Sequence, residues 1–184
     1  MSDDDLDFTR PLAPSPPPKP EVVASARTEA TTGTPQLARK GFYVAMARHS
    51  AGGRVPPRSG EHHSILVIED DMDLLKLVGE VLTNAGFVTR FARNKAEVRA
   101  EFSKTPFPDL MLLDVTLPDT DGFFILDRVR RTPRIATLPV IMMTGRSEVT
   151  DLTRGLTLGA DGYITKPFRV SALLTAVNTV LGLG

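Results

Sequence analysis

From Ser64 onward, short apolar runs alternate with amphipathic segments, and each period of the pattern predicts one strand or one helix. Ile65-Leu66-Val67-Ile68 reads as a strand ended by Glu69-Asp70-Asp71, and Met72 to about Ala85 as a helix with Leu75, Val78 and Leu82 on one face. Phe87 to Ala92 is a weaker second strand, with Phe87 and Phe91 apolar and Thr89 polar between them. Asn94 suits the N-cap of a helix running to about Lys104. Leu110-Met111-Leu112-Leu113 is a buried run that stops abruptly on Asp114 and passes into the turn residues Pro118, Asp119, Asp121 and Gly122. A helix from Gly122 to about Arg131 carries Phe123, Leu126 and Val129. Val140 to Thr144 is a fourth strand, Ser147 opens a helix ending near Gly159, and Tyr163-Ile164-Thr165 is a short fifth strand before Lys166-Pro167. Val170 to Leu181 closes the series with Leu173, Leu174, Val177 and Leu181 at core spacing.

Five strands alternating with five helices predict an α/β domain with a parallel sheet, right-handed crossovers and helices on both faces. The first sixty residues lack this pattern. They hold nine of the chain's fifteen prolines and few periodic apolar positions, so residues 1–62 are expected to form a Pro-rich, disordered tail before a domain over 63–184. A short helix over Arg39 to Met46 is the one ordered element this stretch suggests, and the adjacent His62 and His63 read as loop rather than metal ligands.

Composition narrows the function classes. Among 184 residues, 22 Lys and Arg balance 22 Asp and Glu, so no global field points to nucleic acid. There is no cysteine, which excludes thiol chemistry and disulfides. No signal-like N-terminus and no apolar run of about 18 residues is present, so a cytoplasmic protein is expected.

In a parallel sheet all strand carboxyl ends meet at one edge, where open α/β sheets place their ligands. That edge would gather Glu69, Asp70, Asp114, Thr144 and Lys166. Carboxylates so placed repel one another unless a cation intervenes, and hard oxygen donors with room for water suit Mg²⁺. A metal, an ammonium and a hydroxyl around one carboxylate are what phosphoryl transfer to that carboxylate needs. Taken singly the same residues have plainer readings: Asp114, Asp70 or Asp71 as helix caps, Thr144 as a strand end, Lys166 as a surface charge.

Ile65 to Asp71, Leu112-Leu113-Asp114 with Pro118 and Gly122, Met143-Thr144-Gly145 and Lys166-Pro167-Phe168 together resemble the receiver domain of two-component response regulators. The resemblance covers about residues 63 to 182, and gaps of 44, 30 and 22 residues separate Asp70, Asp114, Thr144 and Lys166. It implies a flavodoxin-like (βα)5 fold with a five-stranded parallel sheet of order 2-1-3-4-5. It implies that Asp114 accepts a phosphoryl group from a sensor histidine kinase or a His-containing phosphotransfer protein, with no other enzymatic activity. Mg²⁺ would be ligated by Asp70, Asp114 and the backbone carbonyl of Thr116, with Glu69 acting through a metal-bound water. Lys166 would pair with the phosphoryl group beside a cis bond to Pro167, Thr144 would hydrogen-bond a phosphoryl oxygen, and Tyr163 would turn inward with it as an aromatic switch. Gly145 should keep the site accessible, and the share of Asp71 in metal binding is open. The output surface is expected on the helix opened by Ser147, the fifth strand and the last helix, for a protein partner or a phosphorylation-dependent homodimer. Neither nucleic acid nor membrane contact is expected.

Alternatives are a receiver cut from a larger regulator and an unphosphorylated docking module. A flavin-binding protein is disfavoured because Glu69-Asp70-Asp71 would repel its phosphate. A phosphatase of the haloacid dehalogenase type is disfavoured because Asp71 and Asp73 would lie past the strand and Leu75 departs from that motif.

Overall fold

The computed structural model describes residues 6–11, 13–45, 53–58, 60–145 and 149–183. Its elements are α1 (Pro20–Lys40), β1 (Phe42–Val44), β2 (Ser64–Ile68), α2 (Met72–Asn84), β3 (Val88–Ala92), α3 (Lys95–Phe102), β4 (Leu110–Asp114), α4 (Gly122–Arg131), β5 (Val140–Thr144), α5 (Val149–Leu158), β6 (Gly162–Thr165) and α6 (Val170–Leu181). Ser147, expected to open the helix that became α5, lies outside the described residues.

β2, β4 and β5 are buried at every position, which is why their sequences are unbroken apolar runs rather than alternating ones. Adjacent strands β3, β2, β4, β5 and β6 are all parallel, in the spatial order expected of the five. Their two faces feed two separate cores. Leu66, Ile68, Met111, Leu113 and Met142 pack on one side, while Ile65, Val67, Leu110, Leu112 and Ile141 pack on the other.

The sheet is not five-stranded. β1 adds a sixth strand, antiparallel, along the outer edge of β6. With it comes a correction to the expected disordered tail. Residues 20–40 form a 21-residue helix whose Ala26, Ala30, Gly33 and Leu37 are buried and which packs on α5. Pro20 stands at the start of the helix, where its missing N–H is no loss. Four threonines return their hydroxyls to the carbonyl one turn earlier, at Ala24, Arg27, Thr28 and Ala30. The buried stripe is made mostly of small residues, so it carries little hydropathy, and proline density outweighed it in the sequence pattern. Within the helix suggested over Arg39 to Met46, Arg39 and Lys40 end α1 and Phe42–Val44 form β1, while Met46 lies outside the described residues.

Ahead of α1, Phe8 is fully buried and stacks on Phe102 at 5.2 Å between ring centroids, and Arg128 donates to the carbonyl of Arg10. His63 is buried with Nε2 2.7 Å from the carbonyl oxygen of Val55, consistent with a structural tie. No helix among the described residues is long and apolar enough to cross a membrane.

Candidate functional site

The carboxyl ends of β2, β4 and β6 converge as their parallel arrangement demands. Glu69, Asp70 and Asp114 each place a carboxylate oxygen within 4.8 Å of the others; Glu69 and Asp114 are buried and Asp70 is exposed. Lys166, just past β6, reaches across β5 and β4. Its Nζ donates to Asp114 Oδ2 and to Glu69 Oε2, both at 2.9 Å. The other oxygen of Asp114 accepts from the backbone N–H of Thr116 at 3.1 Å.

The capping alternatives are resolved by neighbouring acids. Asp71 caps α2, accepting from Asp73 N at 2.9 Å and Leu74 N at 3.1 Å, and is absent from the carboxylate cluster. Asp121 caps α4, accepting from Phe124 N at 2.7 Å. Asp114 is thus left free of a capping role, at the end of a strand buried on both faces.

Burial pushes the Glu69 carboxyl above the ordinary glutamate range, and the neighbouring Asp114 charge adds to this, while Lys166 acts in the opposite sense. Burial works against the charge on Lys166, but its hydrogen bonds to Glu69 and Asp114 outweigh that and hold the ammonium above its usual range. Among the described residues, three acids gather at one ammonium, which leaves negative charge uncompensated. The donor set is all hard oxygen and Asp70 is open to water, a combination that fits Mg²⁺ with several waters retained.

Thr144 ends β5 and is buried; its carbonyl accepts from Lys166 N at 2.7 Å. Gly145 is exposed, with open space where a side chain would stand. A cleft of about 500 Å³ opens beside the site, lined in part by Thr116, Asp121, Thr144, Gly145 and Arg154. The Lys166–Pro167 peptide is cis, as the resemblance implied. Tyr163 is fully buried, its hydroxyl 3.4 Å from the carbonyl of Asp151, and burial pushes its phenol far above the ordinary tyrosine range.

Two features escape a reading by sequence. A Cβ on Gly122 would overlap the carbonyl oxygen of Asp114, so glycine lets the loop after β4 fold back tightly against the strand end. Arg154 lies 4.2 Å over the Phe123 ring and pairs with Asp121 at 3.3 Å, placing a cation at the mouth of the cleft. Pro118 and Gly122 signal the turn, but no motif signals Arg154, because its neighbours come from another helix.

The surface expected to meet a partner differs from expectation. α1 lies on α5 and β1 along β6, so much of the anticipated output face is covered by this chain's own residues 20–44.

Comparison with known proteins agrees with this geometry. Residues 65–178 match the response regulator receiver domain. The transcriptional regulatory protein GltR of Pseudomonas aeruginosa is 37% identical over 123 residues, which are 67% of this chain and 50% of that protein. The DNA-binding dual master transcriptional regulator RpaA of a Synechocystis strain is 38% identical over 117 residues, 64% of this chain and 48% of that protein. The chain thus spans about half the length of these curated relatives. Among solved structures, a response regulator from Chloroflexus aurantiacus superposes with a TM-score of 0.62 at 32% identity, covering 66% of this chain and 98% of that one. The chemotaxis protein CheY4 of Vibrio cholerae gives 0.62 at 27% identity, covering 66% and 100%. The CheY-like α/β fold and the family match over 65–178 lead to one conclusion: the chain belongs to the response regulator receiver family of two-component signalling.

Proposed function

We propose that Asp114 is the phosphoacceptor and that the chain receives a phosphoryl group from a sensor histidine kinase or a His-containing phosphotransfer protein. The observation that carries this reading is Lys166 Nζ bridging Asp114 and Glu69 at 2.9 Å each, at the strand ends of a receiver-family domain. In the transfer, a carboxylate oxygen of Asp114 attacks phosphorus in line, the acyl phosphate bond forms, and the bond from phosphorus to the donor's leaving atom breaks. Asp114 Oδ1 is oriented by the Thr116 N–H, which leaves the other oxygen to Lys166. Lys166 then follows the charge, exchanging Asp114 for a phosphoryl oxygen while keeping Glu69. Thr144 donates its hydroxyl to a second phosphoryl oxygen.

Asp70, Asp114 and the Thr116 carbonyl would hold Mg²⁺, with Glu69 acting through a bound water. The ion supplies charge neutralisation for the transferring oxygens. No turnover of an external substrate is involved. Phosphorylation adds about two negative charges, and the proposed readout is the position of Thr144 and Tyr163, sensed by a protein partner.

The half-length match favours a companion reading in which this receiver governs a further domain. Nucleic-acid binding, named for RpaA, would then be that domain's property rather than the receiver's.

The test is intact-protein mass after incubation with Mg²⁺ and acetyl phosphate, beside Asp114→Asn. One phosphoryl adduct, dependent on Mg²⁺ and absent from the variant, is the expected result. No adduct, together with no beryllofluoride-induced shift of the Asp114 or Thr144 NMR signals, would reject phosphoacceptor function and leave a docking module.

A further inference from the structure

Residues 20–45 lie outside the receiver match, yet they are built into its sheet. β1 pairs with β6 in the register Phe42 to Ile164, Tyr43 to Tyr163 and Val44 to Gly162. Directly opposed residues of an antiparallel pair share a sheet face, so Tyr43 stands beside Tyr163 on the side where α1 meets α5. Both tyrosines belong to the same buried cluster as Ala30 and Leu37 of α1.

The fit between these parts is close. The Tyr43 ring lies so near Gly33 that a Cβ there would stand 2.9 Å from it, and the Tyr43 hydroxyl donates to Glu29 at 2.9 Å. A Cβ on Gly155 of α5 would overlap the Tyr163 hydroxyl. Tyr163 is therefore held on two sides, its hydroxyl against α5 at Gly155 and its backbone beside Tyr43 of β1.

The segment also reaches the acidic site through the backbone. The carbonyl of Gly41, which caps α1, accepts from Thr165 N at 3.0 Å. The next residue is Lys166, which holds Thr144 through its N–H and Asp114 and Glu69 through Nζ. The residue that anchors α1 and the cation of the site are thus adjacent in the chain.

We infer that residues 20–45 are an intramolecular effector of the acidic site, whose docking on α5 and β6 holds Tyr163 inward and strengthens phosphoryl binding at Asp114. The inference rests on the phosphoacceptor reading of Asp114. Docking and phosphorylation then select the same conformation, so each favours the other, and the coupling is reciprocal. α1 carries an internal Pro35, which lacks the N–H that would complete the helix ladder at that point. While docked, the segment closes the β6 edge to outside strands, so a partner for that face must displace it.

The experiment compares the full chain with Leu37→Asp, which sets a charge at a fully buried position of α1, outside the acidic cluster. Each is titrated with beryllofluoride in the presence of Mg²⁺, followed by NMR, and α1 amide exchange is measured with and without the ligand. The expected result is binding weaker by about fivefold or more in Leu37→Asp, with α1 amides of the wild type protected by the ligand. Gly33→Leu, which drives a side chain into Tyr43, should behave the same way and stands in if Leu37→Asp does not fold. Equal affinity with α1 shown to be detached, tighter binding in the variants, or no gain in α1 protection would overturn the coupling. Absence of binding by the wild type would reject the phosphoacceptor reading itself, a result separable from tight binding that Leu37→Asp leaves unchanged.

Discussion

The two edges of the sheet are finished in opposite ways. At the β3 edge, Val88 is 51% and Phe91 is 39% exposed, and no described strand pairs with the outer side of β3. At the other edge, β6 is covered by β1, and Tyr163 is wholly buried. An open edge is a template for unwanted pairing unless charge or side chains obstruct it. β3 carries a charge in Arg90, held by Glu101 at 2.7 Å and by the carbonyl of Pro106 at 3.0 Å. β6 is short and apolar, carries the buried Tyr163, and is covered by backbone instead. The difference is that the N-terminal segment covers the edge that leads to Lys166, while the β3 edge has only its side chains.

Leu37→Ala should break the covered edge most strongly. Leu37 is fully buried, so the expected loss is about 2–5 kcal/mol in the opening free energy of α1 and β1. Native-state hydrogen exchange would read it, and an unchanged α1 opening energy would show that the segment's docking does not depend on this contact. Gly155→Ala comes next. Its methyl group would overlap Tyr163, so a destabilisation of about 1–3 kcal/mol is expected in chemical denaturation, with the Tyr163 ring signals displaced in NMR spectra.

At the site between the edges, pH supplies a finer test. The folded-state pKa of Glu69 is raised above its ordinary 4.5, so its contribution to stability is complete below 4.5 and is lost as pH rises through the raised value. Without Mg²⁺, acidification from neutral pH towards 4.5 should therefore favour the wild type relative to Glu69→Gln in paired thermal melts. Lys166 is also raised, above 10.5, so its contribution persists through neutral pH and disappears only above that value. A wild-type minus Glu69→Gln difference that is flat between 4.5 and 7 would contradict the burial of the Glu69 charge. The smallest effect belongs to the open edge. Val88→Thr should change stability by no more than about 0.5 kcal/mol, since half of this side chain is already in water. A larger loss in equilibrium denaturation would mean that the β3 edge is covered in solution.

The sequence alone determined the parallel core and much of the site. Buried parallel strands must be continuous apolar runs, so β2, β4 and β5 are legible without a structure. Because parallel strands share one carboxyl edge, the acids and Lys166 that end those runs had to converge. Asn94 as the cap of α3 is legible for a similar reason, since its chemistry is local. Strand alternation does not distinguish an edge from the interior, and Phe91 lies partly exposed against Gly79 rather than inside. What only the tertiary structure decided was the fate of residues 20–45. Ala26, Ala30 and Gly33 bury little apolar area each, and a three-residue strand such as β1 has no signature of its own. Their order comes from surfaces far along the chain, the groove of α5 and the unpaired edge of β6. The same holds for Arg154 above Phe123 and for the inward Tyr163, whose positions depend on non-local contacts that no local pattern encodes.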